Sequence, residues 1–240
     1  MKSLKKVAGS VCALLIAFGA TAQSNKTETS AEKDYLSSVE DVVITELANS
    51  EERDNKLVAL QYLENAVEEG RCTPDMQVAL DSLAGEGITS QARTNGRLMN
   101  NYPDIRAKAC ELLGKVATPE SKNSLTKIAL ADNEPMVITA AVRSLGDIGM
   151  NDNDDVTATI AWAQKKNAVL NPTSSLALEV LIAYEKLADS VQDKSAMIQS
   201  VGAIATNYNY VTPVRTRALE LLKKLQGSGS NSKKSNKDAK

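Results

Sequence analysis

Apolar residues along this chain recur at three- and four-residue intervals, the spacing of one helical face, and nowhere alternate as a half-buried strand requires. One five-residue word repeats: Ala, an aliphatic or thiol residue, two free positions, then Leu. Its copies start at Ala59, Ala109, Ala141, Ala177 and Ala218. On a helical wheel the Ala, its successor and the Leu fall within about one quadrant, so each copy describes one buried stripe. The starts lie 50, 32, 36 and 41 residues apart, the range of stacked helix pairs. A sixth match at Ala79 to Leu83 falls in a first helix and is read as coincidence.

All six prolines read as helix starts, where the missing N–H is not needed for an intrahelical bond. Thr73, Thr118, Asn171 and Thr212 each place a capping side chain before a proline, and Pro103 and Pro135 open two further helices. Five helix pairs follow: 34–48 with 51–69, 73–85 with 104–117, 119–131 with 134–149, 155–166 with 172–188, and 194–208 with 212–226. The second helix of each pair carries the repeated word. The connection from Gly85 to Tyr102 is long for a compact domain and is expected to be functional or mobile, or to hold a short helix near 91–98.

The ends differ from this body. Lys2, Lys5 and Lys6, an apolar run from Val7 to Phe18, then Ala20-Thr21-Ala22, have the order of a secretory signal peptide, with cleavage expected after Ala22. Cys12 lies inside the apolar run instead of at the cleavage point, which argues against a lipid anchor. Residues 23–33 read as a flexible leader, 34–226 as the helical array and 227–240 as a disordered, Lys/Ser-rich tail. No later run is long enough to span a bilayer, so a periplasmic or secreted protein without stable membrane insertion is expected.

Composition narrows the chemistry. At 42% hydrophobic and 24% charged, the chain can build a sizeable core. Loss of the three leader lysines takes the 28 basic residues to 25 against 30 acidic. Four of those lysines and Asp238 lie in the tail, so the body holds 21 basic against 29 acidic residues. A body that acidic repels phosphate backbones, and nucleic acid is not an expected partner. The chain has no histidine, which removes imidazole-based nucleophilic systems and the commonest metal ligand. No enzymatic activity, cofactor or metal site is expected.

Residues 133–149, from Asn133-Glu-Pro-Met-Val to Ala140-Ala-Val-Arg-Ser-Leu-Gly146, and Pro103-Asp-Ile-Arg-Ala-Lys-Ala-Cys-Glu-Leu-Leu-Gly114 resemble the second helix of a HEAT repeat. Pro213 to Leu225 is similar, with one residue fewer between Pro and Ala, and Ser124 to Asp132 resembles the first helix of the unit. The first and fourth pairs depart from the pattern, lacking its usual Arg and Gly. The resemblance implies an all-α, right-handed α-solenoid of about five HEAT-like helix pairs whose second helices line an inner surface. It implies a protein–protein interaction scaffold or adaptor; the alternatives are a lyase-like or other enzyme-associated HEAT protein using carboxylates, and a structural subunit of a cell-envelope assembly.

Candidate sites are few. Two positions after each repeated Ala stand Gln61, Glu111, Arg143, Glu179 and Glu220, about 200° round the wheel from that Ala. They are expected to form an outward row where a protein partner is read, or a plain solvated face. Asn151-Asp-Asn-Asp-Asp155 lacks the Gly and Glu of a calcium loop and reads as a turn in which Asp154 or Asp155 caps the next helix. Trp162, the only Trp, reads as core. Cys72 and Cys110 can pair in an oxidising compartment, though Cys110 sits in a buried word and reads better as a small hydrophobe. The tail lysines are too dilute for strong attraction to anionic surfaces, given screening over about 8 Å.

Overall fold

The structure, a computed structural model, describes residues 22–235, and side chains from residue 30 to 227. The expected export signal, apart from Ala22, and the last five residues lie outside the described residues. The chain divides into two units, residues 1–43 and 44–240.

Within the first unit runs most of helix α1, Ala22–Asn49, which covers the stretch read from sequence as a leader. Its side chains Tyr35, Leu36, Val39, Val42 and Val43 are exposed.

The second unit is an all-α solenoid. After the last turns of α1 come α2 (Arg53–Glu68), α3 (Pro74–Ala84), a two-stranded hairpin, α4 (Pro103–Val116), α5 (Pro119–Ala131) and α6 (Pro135–Ile148). Then follow α7 (Asp155–Leu170), α8 (Ser174–Leu187), α9 (Ser195–Thr206) and α10 (Thr212–Ser235). The last helix runs through the stretch expected to be a tail. Helices α3, α5, α7 and α9 pack in series as one layer, and α2, α4, α6, α8 and α10 as the second. Between the layers a single apolar cluster runs from Ile44 to Leu225, as stacked repeats require when no pair can cover its own stripe.

Sequence signals account for most boundaries. Thr73 and Thr118 accept from the N–H groups of Met76 and Ser121, at 3.2 and 3.0 Å, and Pro74, Pro103, Pro119 and Pro135 each open a helix. Two signals read differently. Asn171 closes α7, and α8 begins after Thr173. Asp154 stands at the N-cap position of α7, as expected, but the side-chain capping bond comes from Asn151, whose Oδ1 accepts from Thr157 N at 3.1 Å. Asp154 instead accepts from Gln192 N and Asp193 N, at 3.0 and 2.8 Å, tying the α8–α9 turn to the start of α7.

All five repeated Ala are buried, as are Leu63, Leu113, Leu145 and Leu181. Leu222 is only partly buried. In α10 the core positions are Val214, Ala218, Leu221 and Leu225; Leu219 and Leu222 lie on the side that the next second-layer helix covers in the other copies, and no such helix follows α10 among the described residues. The sixth match also marks a buried stripe: Ala79, Leu80 and Leu83 are all buried in α3.

Two glycines set the spacing of the second layer. A Cβ on Gly114 would meet Ser144 Cβ at 2.6 Å, and one on Gly146 would meet Ala183 Cα at 2.8 Å. Each lets its helix touch the next, and Ser144 Oγ then donates to Cys110 O at 2.9 Å across α6 and α4. The equivalent position in α8 is Ile182, and α8 and α10 touch less than α6 and α8 do.

Candidate functional site: the second-helix face

The outward side chains of the second layer are engaged with one another. Arg143 on α6 donates to Glu179 on α8 at 2.9 Å and lies 3.5 Å from Glu111 on α4. Lys108 on α4 reaches Glu64 on α2 at 2.6 Å, and Lys115 reaches Glu68 at 3.2 Å. Lys186 on α8 pairs with Asp147 on α6. Arg217 on α10 grips Glu185 on α8 through two bonds of 2.7 and 3.2 Å. Arg53 pairs with Asp104, again joining α2 to α4. Every adjacent pair of second helices is therefore linked by at least one ion pair.

These pairs shift proton affinities in the expected directions. The bond from Lys108 holds the Glu64 carboxyl below its usual range. The bonds to Glu179 and Glu185 raise the affinity of Arg143 and Arg217 for their protons.

The five residues expected to form a row divide into three and two. Glu111, Arg143 and Glu179 come together as a continuous triad, with Glu179 only 14% exposed at its side chain. Their charges are largely spent on each other. Gln61 and Glu220 are exposed at the two ends and are not hydrogen-bonded into the triad. Gln61 lines a groove of about 280 Å³ with Leu57, Glu64 and Lys108. Glu220 lines one of about 650 Å³ with Glu185, Thr216 and Arg217. Between them a groove of about 470 Å³ holds Glu111, Arg143 and the exposed Met136. Lys108 and Arg217 were missed from sequence. Their signal was a basic residue directly before the repeated Ala.

The remaining candidates are structural in their contacts. In the acidic turn, Lys122 Nζ sits 2.9 Å from Asp155 and 3.2 Å from Asp152, so a protein ammonium occupies the place considered for calcium. No group of three or more Cys, Asp or Glu suited to a metal occurs among the described residues. Trp162 is 48% exposed, with Lys166 Nζ 5.2 Å from its ring centre, contrary to the core expectation. Cys110 is buried, Cys72 is half-buried, and the two are not joined to each other; burial pushes the Cys110 thiol pKa up.

The long connection is neither helical nor shapeless. Arg93–Thr94 and Arg97–Leu98 form strands β1 and β2, paired antiparallel. Asn95 and Gly96 turn between them with φ of 51° and 78°, the mirror-image turn that Asn-Gly favours. A buried network holds the base of this arm: Lys56 bonds Glu86 at 2.9 Å, Glu86 accepts from Asn100 at 2.6 Å, and Arg106 donates to Glu86 O at 3.2 Å and pairs with Asp132 at 2.8 Å. No described helix is long and apolar enough to cross a membrane.

Stacked helix pairs with a shared core and one ion-paired face define an α-solenoid. A family model described as HEAT repeats matches residues 97–169, from β2 to the end of α7, and supports a HEAT-repeat protein. No curated protein and no solved structure matches the chain.

Proposed function

We propose that this chain is an exported, non-enzymatic scaffold that binds a protein partner across the second-helix face. The observation that carries this reading is the ion-pair ladder linking α2, α4, α6, α8 and α10. It runs across five helices that the shared core holds together, and makes of them one surface whose grooves alternate paired charge with small apolar spots. Such a surface offers its partner shape and charge pattern instead of a reactive group, in keeping with the binding role usual among HEAT repeats. Export is supported by the basic, apolar and small-residue order of the first 22 residues.

The test is site-specific photocrosslinking in intact cells from Gln61 and Glu220, with Asn123 on α5 as a control on the other layer. The expected result is a discrete protein adduct from the first two positions and none from the third. Adducts equal from all three, or absent from Gln61 and Glu220, overturn the assignment of the face. Export is tested separately: the chain's N-terminus should begin at Gln23, and a retained Met1 overturns it.

A further inference from the structure

Helix α1 carries an apolar stripe that is exposed among the described residues. Tyr35, Leu36, Val39, Val42 and Val43 are spaced at i, i+1, i+4, i+7 and i+8, so they share one helical face, and all are exposed. The stripe is about 12 Å long at 1.5 Å per residue. Its flanks are acidic, with Glu32, Asp34, Glu40, Asp41 and Glu46 against Lys33. Two such helices paired with each other would bring these acids together, so the charge calls for a basic acceptor.

The second unit holds one of matching character. Between α7 and α9 runs an apolar groove of about 350 Å³. Ala161, Ala168, Ala196 and Ala203 line it beside the larger Trp162 and Val169, and these small positions leave room for large side chains. Its charged residues are basic: Lys165 lines it, and α9 carries no charge at all from Ser195 to Thr206. Beneath it Gln164 Oε1 is buried without a hydrogen-bond partner, a cost that an arriving donor such as a phenol hydroxyl would relieve.

We propose that the occupant of the α7/α9 groove is α1 of a second copy of this chain. Large residues on the acidic helix fill the Ala-lined groove, and Lys165 faces the acidic flank. The contact is heterologous, since stripe and groove are different surfaces, so copies add head to tail and form a ring or an open chain. It leaves the second-helix face uncommitted.

Heterologous contact gives a decisive experiment. Light-scattering mass of the purified chain is followed over a dilution series, with two variants: Val39→Ser with Val42→Ser on the stripe, and Ala196→Glu with Ala203→Glu on exposed groove positions. Circular dichroism melts confirm that both fold. Wild type should rise above one chain mass with concentration, less so in high salt. Each variant alone should stay at one chain mass, and an equimolar mixture should reach two and stop, because it holds one intact stripe and one intact groove. Wild type that stays at one chain mass throughout, or a mixture of variants that does not pair, overturns the proposal. Either result leaves the crosslinks from Gln61 and Glu220 untouched as a test of the scaffold reading.

Discussion

At the residue scale, burial decides which ion pairs matter. Arg106 and Asp132 are each only 2% exposed, and both oxygens of the carboxylate are taken by the guanidinium and by the N–H groups of Asn133 and Glu134. Arg106→Ala leaves that carboxylate buried without its cation and should cost about 3 to 5 kcal/mol. Arg143 is 44% exposed and solvent screens its pairs, so Arg143→Ala should cost about 1 kcal/mol or less. Urea melts of the two variants should separate them by at least a doubling of the lost stability. Glu64 adds a pH signature. Its folded pKa lies below the unfolded one, so its contribution is complete above about pH 4.5 and is lost as the pH falls further. Glu64→Gln should flatten that acid limb of the stability profile while leaving the alkaline limb as in wild type.

At the element scale, the same substitution should have opposite signs in two helices. Gly146→Ala drives a Cβ into the backbone of α8, and overpacking of this kind costs about 1 to 3 kcal/mol. Gly202 on α9 has nothing within 4 Å of the Cβ position, so Gly202→Ala gains helix propensity, about 0.5 to 1 kcal/mol. Thermal melts shifting down for the first and up for the second check both. The helix positions were legible in the sequence because Thr-Pro and repeated Ala are local signals. The hairpin was also legible in principle, since Asn95-Gly96 is a strong turn signal. Its strands are not legible, because two residues are too short to show alternation.

At the scale of the whole molecule, the repeated Leu residues are unequal. Leu145 is fully buried in the middle of the stack, whereas Leu222 is partly exposed on the last helix. Leu145→Ala should cost about 2 to 5 kcal/mol, the transfer loss plus a cavity. Leu222→Ala should cost clearly less than Leu221→Ala, because Leu221 holds the core position in α10. Equal losses for Leu221 and Leu222 in urea melts would contradict the placement of Leu222 on the uncovered side of that last helix.

The sequence by itself determined the all-α class, the four pairs from α3 to α10, nearly every helix start and the buried Ala stripe. All of these follow from periodicity and capping within a few residues of chain. Only the tertiary structure decided what the outward residues do. Whether Arg143 is displayed or spent on Glu111 and Glu179 depends on residues 32 and 36 positions away, and Lys122 fills the acidic turn from 30 and 33 positions away. The same holds for Trp162, which reads as core from sequence but whose exposure follows from which neighbours α7 packs against. Side-chain partners across helices are set by how the pairs stack, and stacking is fixed by contacts such as Gly146 against Ala183 that no local pattern records.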